Sequence, residues 1–148
     1  MRFHPLCLAA SMATVFTLSA TIADAAEDIQ WRANLGKAMA EAAETGRPVF
    51  ASWCGYCKKL DETTFQDPKV VGMINESFIP VKVDGDRNRA AVKQYKISGY
   101  PSGVIIQPDG TAFETPAGYR DATTYGSDFT KVVSALAKLG PPSAPQWE

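Results

Sequence analysis

The apolar positions of this chain fall into short periodic runs, separated by glycine, proline and aspartate. Trp31, Leu35, Met39 and Ala42 recur at spacings of 4, 4 and 3, which is the stripe of an amphipathic helix. Gly46 offers a C-terminal stop and Pro48 bars continuation. Residues 48–52, Pro-Val-Phe-Ala-Ser, read as a short strand, and residues 55–64 as a helix. Asp67 followed by Pro68 is a helix entry, a capping carboxylate and then a residue whose missing N–H is not needed there. Val70, Val71, Ile74 and Phe78 supply that helix's buried side. Residues 78–83 read as a strand that ends in the turn Asp84-Gly85-Asp86. A short helix over 88–96 carries Ala91, Val92 and Tyr95. Residues 103–107 form a buried strand, Pro108-Asp109-Gly110 a hairpin turn, and residues 111–115 the returning strand. A last helix over 127–139 turns Phe129, Val132, Val133, Leu136 and Leu139 inward, and residues 140–148 read as an extended tail.

The predicted order is helix, strand, helix, helix, strand, helix, strand, strand, helix. This is an α/β pattern with a mixed central sheet and helices on both faces. Strands joined through helices are expected to pair in parallel, and the tight turn makes the final pair antiparallel.

The first segment has a different pattern. Arg2 and His4 give a positive start, and no charged residue follows from Leu6 to Ala23. Ala23-Asp24-Ala25 fits a small-x-small cleavage site. Residues 1–25 therefore read as a secretory signal peptide, and residues 26–148 as one domain. The alternative is an uncleaved anchor, but the stretch is short and diluted by Ser, Thr and Ala. Cys7 follows His4-Pro5-Leu6, which lacks the small residues of a lipid-attachment pattern. Cleavage removes Arg2, Asp24, Cys7 and the single histidine, and leaves the net charge at −1.

That charge gives no basic excess to meet phosphate, so a nucleic-acid partner is not expected. The length of 148 residues and an apolar content of 45% suit one domain with a real core. Without histidine the mature chain has neither a Cys–His pair nor a Ser–His–acid triad. Lys58 follows Cys57 where covalent haem attachment needs histidine. A structural zinc site takes four Cys or His ligands, so two cysteines would have to share a metal between chains or recruit carboxylates. No bound cofactor or metal is expected.

The chemistry concentrates in Trp53-Cys54-Gly55-Tyr56-Cys57-Lys58. One helical turn across Cys-x-x-Cys brings both sulfurs together, and in an exported chain the pattern points to disulfide exchange. Exchange needs a thiolate, and a helix N-terminus stabilises one. Cys54 is thus expected to attack, and Cys57, one turn in and more buried, to resolve the mixed disulfide. A static disulfide is the plain structural alternative, yet it closes too short a loop to constrain the unfolded chain much.

These residues resemble the active-site motif of the thioredoxin superfamily. The continuation Lys59-Leu60-Asp61-Glu62-Thr63-Thr64-Phe65, then Asp67-Pro68 and residues 78–84, resembles one branch of it. That branch holds exported thioredoxin-like proteins and the C-terminal periplasmic domain of the thiol:disulfide interchange transporter. The resemblance runs from about Trp31 to Leu139. It implies a thioredoxin-like fold, a periplasmic location, cysteine-containing protein substrates and a membrane or periplasmic electron-transfer partner. It also implies that Pro101, in Ser98-Gly99-Tyr100-Pro101, is a cis proline opposite the cysteines. The backbone of Tyr100 would then be open to an extended peptide. A trans turn proline is the alternative. Trp53 and Tyr56 are implied as aromatics that shield the sulfurs and contact partners, with core packing as the other reading. Lys58, Lys59, Asp61 and Glu62 read as helix-surface charges.

The chain departs from the family pattern in two places, and the first is that Gly46 lies only eight residues before Cys54, so the central strand is expected to be short. No Asp or Glu falls between Thr45 and Cys54, so the buried acid that relays the resolving thiol's proton is missing. Proton transfer would pass to water or to another carboxylate such as Asp84. The expected function is an exported thiol–disulfide oxidoreductase, more reductive than oxidative. The alternative is a peptide-binding module on the same fold without redox turnover.

Overall fold

The computed structural model of the chain describes residues 28–53, 57–114 and 118–140. The elements are α1 (Leu35–Thr45), β1 (Val49–Trp53), α2 (Lys58–Glu62), a 3₁₀ turn (Thr64–Gln66), α3 (Pro68–Ser77), β2 (Ile79–Val83), α4 (Arg89–Gln94), β3 (Ser102–Ile106), β4 (Ala112–Glu114) and α5 (Ala122–Leu139). The expected leader, residues 1–25, and most of the expected tail lie outside the described residues.

Local chemistry explains most boundaries. Asn34 caps α1 by accepting from the Lys37 N–H, and Gly46 ends it in the left-handed region at φ 71°, with its N–H donating to the Ala42 carbonyl. Asp67 caps α3 by accepting from the Lys69 and Val70 N–H groups, with Pro68 next. Trp31 does not join α1. Asn34 takes the capping position after it, and Arg32 bridges to Val81 alongside β2. Of the helix expected over 55–64, residues 55 and 56 lie outside the described residues, and the rest is the five-residue α2 followed by the 3₁₀ turn. α5 begins five residues before the predicted start, because Asp121 caps it through the Thr124 N–H. Leu139, the last residue of α5, is exposed rather than inward.

The sheet order is β2-β1-β3-β4. β1 pairs with β2 in parallel and with β3 antiparallel, and β3 pairs with β4 antiparallel through the hairpin turn. The β1–β3 pairing corrects the expectation that every helix-linked strand is parallel. The connection from β2, residues 84–101, ends at the same end of the sheet where it began, so β3 starts beside the end of β1, with Ser102 opposite Trp53.

β1 is buried at all five positions, as expected of a strand flanked on both edges and covered on both faces. Its alternation divides the core. Val49, Ala51 and Trp53 join Ala38 and Ala42 of α1, Ile79, Val81, Val83, Val104 and Ile106, with α4 packed outside. Phe50 faces the other way, into a cluster with Phe65, Phe78, Ile105, Tyr125 and Phe129, beneath α3 and α5. Phe50 is central there, with the Phe129 ring 4.9 Å away nearly edge-on.

Candidate functional site

The C-terminal end of β1 is where the sequence motif begins. Trp53 stands opposite Val83 of β2 and Ser102 of β3. Register alone thus gathers three segments at one end of the sheet: the chain after Trp53, the Asp84–Asp86 turn after β2, and Tyr100-Pro101 before β3. Cys54 and Tyr56 lie outside the described residues, so the predicted site is described from its other members.

Cys57 is disulfide-bonded. It occupies the N-cap position of α2, with its carbonyl accepting from the Leu60 and Asp61 N–H groups at 3.0 and 3.1 Å. This differs from the expected placement one turn into the helix, because regular α-helix starts only at Lys58. The side chain is half-buried and packs against the Phe50 cluster.

The Tyr100–Pro101 bond is cis. Tyr100 is 57% exposed, high for a large aromatic residue. The Pro101 carbonyl accepts from the Gly118 N–H at 2.8 Å, which draws the 118–120 segment into the same neighbourhood. Trp53, expected among the partner-contacting aromatics, is fully buried. Its indole packs on Tyr95 at 5.6 Å between centroids, and Nε1 has no hydrogen-bond partner among the described residues. In this conformation it acts as packing beneath the site. Burial pushes the Tyr95 phenol above its ordinary value.

Charges near α2 are largely engaged. Asp61 accepts from Lys82 Nζ at 2.7 Å, and that ammonium also lies 5.1 Å above the Trp31 ring. Lys59 Nζ sits 4.1 Å above the ring of Tyr119. Asp84 spends one carboxylate oxygen on its own turn, accepting from the Asp86 N–H at 2.9 Å, and pairs with Arg87 at 3.5 Å through the other. The carboxylate suggested as a proton acceptor is thus shared with its own turn and stays half-exposed.

Two residues missed from the sequence adjoin these. Tyr119 is 42% exposed, within 3.2 Å of the Thr63 hydroxyl and under Lys59. Gly85 lies against the hydroxyl end of the Tyr100 ring. Neither carries a local signal, since each matters only through a neighbour distant in sequence. Among the described residues no three of His, Cys, Asp or Glu cluster as a metal site, and no helix is long and apolar enough to cross a membrane.

Comparison with known proteins places this arrangement. A mitochondrial thioredoxin domain-containing protein of Schizosaccharomyces pombe is 40% identical over 62 residues, covering 40% of this chain and 16% of that protein. The thiol:disulfide interchange protein DsbD of Pseudomonas fluorescens is 31% identical over 100 residues, covering 63% of this chain and 17% of that protein. The chain therefore spans under a fifth of the length of either relative. In fold it is similar to a thioredoxin from Thermus thermophilus, with TM-score 0.64 and 20% identity, covering 76% of this chain and 93% of that one. The thioredoxin-like family model matches residues 30–108, more than half of the 148 residues. With the mixed sheet, the helices on both faces and this match in hand, the chain belongs to the thioredoxin-like family.

Proposed function

We propose that this protein is an exported thiol–disulfide oxidoreductase that works through Cys54 and Cys57. The observation that carries the reading is a disulfide-bonded Cys57 at the start of α2, at the sheet end where Tyr100-Pro101 also lies. The relatives' names, thiol:disulfide interchange protein and protein disulfide-isomerase, support the same chemistry. In this reading Cys57 is paired with Cys54, residues 1–25 are a leader removed after Ala25, and the mature domain acts in the periplasm.

The reductive cycle balances as follows. The Cys54 thiolate attacks one sulfur of a substrate disulfide. A Cys54–substrate disulfide forms and the other substrate sulfur leaves as thiolate. Cys57, its proton lost to water, then attacks Cys54. The Cys54–Cys57 bond forms, the second substrate thiolate leaves, and two electrons have passed to the substrate. A dithiol partner at the membrane restores the reduced pair by the same exchange. The substrates are cysteine-containing proteins.

The test is the Cys57→Ser variant of the mature chain. It should accumulate covalent Cys54-linked partners that reducing agent releases. Recovery of partners without any covalent adduct would overturn the redox reading in favour of a peptide-binding module, for which the exposed Tyr100 and Tyr119 speak. Direction follows from equilibration with glutathione. A potential near about −270 mV marks a reductant, and one near about −120 mV an oxidant.

A further inference from the structure

We infer that Gly85 is a positioning residue: its missing side chain lets the hydroxyl end of Tyr100 settle against the Asp84–Asp86 turn, and this sets the outline that a substrate peptide meets beside Pro101. The inference rests on the thiol–disulfide reading and deepens it.

A Cβ built on Gly85 would fall 2.9 Å from Tyr100 Cζ, and closer still to the hydroxyl. Real Cβ atoms do not approach so near, so the ring occupies space that any other residue would fill. Gly85 is not among the glycines with positive φ. An alanine there meets no backbone penalty, so turn geometry does not account for the glycine. The turn is also the stiffer partner. The Asp84 carboxylate accepts from the Asp86 N–H at 2.9 Å, and its carbonyl accepts from Asn88 Nδ2 at 2.8 Å and the Asn88 N–H at 3.0 Å. Tyr100, more than half exposed, is free to swing. Adding a methyl group at residue 85 would therefore move the ring and leave the turn in place.

The consequence reaches the substrate because Tyr100 immediately precedes Pro101. With its hydroxyl end seated against the turn, the ring holds one orientation beside Pro101. Lifted, it would project as an obstacle. A peptide carrying side chains around its cysteines would feel that change, whereas a disulfide without side chains would not. The control is built into the same loop: a Cβ at Gly99 would meet nothing within 4 Å.

The experiment compares kcat/KM for a disulfide-bridged peptide with that for hydroxyethyl disulfide, using the mature chain and its Gly85→Ala, Tyr100→Ala, doubly substituted and Gly99→Ala variants. Gly85→Ala should lower the peptide-to-small-disulfide ratio roughly tenfold, chiefly through KM, a size typical of one misfitting group in a pocket. Gly99→Ala should leave the ratio as in the parent. The double variant should match Tyr100→Ala alone, since Gly85 acts only through the ring. An unchanged ratio in Gly85→Ala, or multiplying effects in the double variant, would overturn the inference. A parent chain that exchanges with neither disulfide would sink the redox reading itself, which is a separate outcome. Should Gly85→Ala fail to fold, by circular dichroism, while Tyr100→Ala folds, the ring is not the part that yields and the inference falls.

Discussion

Trp53 and Tyr95 pack ring against ring, 5.6 Å between centroids and tilted by 58°, on the sheet face covered by α1 and α4. The residue before the first motif cysteine is thus a core residue, with an indole N–H that finds no partner among the described residues.

Two substitutions should separate its packing from that stranded donor. Trp53→Ala opens a large cavity and should cost about 3–5 kcal/mol. Trp53→Phe keeps a ring and removes a donor whose unpaired burial costs about 1–3 kcal/mol, so its net cost should stay below about 2 kcal/mol. Urea titration followed by far-ultraviolet circular dichroism measures both. Equal losses in the two variants would mean that the indole N–H is paired in solution.

Arg47 closes the end of α3 from a distance. One guanidinium nitrogen donates to the Asn75 and Phe78 carbonyls, each at 2.6 Å, and to the Glu76 carbonyl at 3.3 Å. The last carbonyls of a helix have no partner within it, so a cation that reaches them replaces water and opposes the helix dipole. Arg47→Ala should destabilise the fold by about 1.5–3 kcal/mol, the range for hydrogen bonds to a charged group. Arg47→Lys should recover only part, because an ammonium lacks the planar fork. Chemical denaturation midpoints rank the three proteins, and a silent Arg47→Ala would show the contacts to be worth no more than hydration.

Acid should weaken the start of α5 in a way that one substitution abolishes. Hydrogen bonds from Thr124, backbone first and then side chain, hold the Asp121 carboxyl below its ordinary 3.8. A carboxyl depressed in the folded state stabilises it fully above the unfolded value, and that contribution fades as pH falls through the folded one. The loss therefore lies on the acid side of 3.8. Asn also caps helices well but does not titrate. Between about pH 6 and about pH 3, Asp121→Asn should lose less melting temperature than the parent. Parallel losses would show that the cap bond is indifferent to charge.

The elements themselves are legible in the sequence because their causes are local. Asn34, Gly46, Asp67 and Pro68 act within one turn of where they stand, and the stripe of α3 repeats at helical spacing. Where a second local cause competes with the apolar stripe, the boundary shifts. Asn34 claims the cap that separates Trp31 from α1, and Asp121 starts α5 early. Motif spacing likewise singles out Cys57 and Pro101, since neighbours three apart, or a proline before a buried strand, are visible in one dimension.

Other features belong to the folded molecule alone. That β3 runs antiparallel to β1 depends on where the 84–101 connection brings the chain back to the sheet, with Ser102 opposite Trp53. That Trp53 points into the core rather than toward a partner depends on which face of β1 its register selects. That Tyr100 rests on Gly85, and Tyr119 under Lys59, depends on three-dimensional neighbours separated by 15 and 60 positions in the numbering. Local chemistry writes helices, caps and a cysteine pair into the order of residues. Strand direction, facing and the surface around the sulfurs arise only when distant segments compete for the same space.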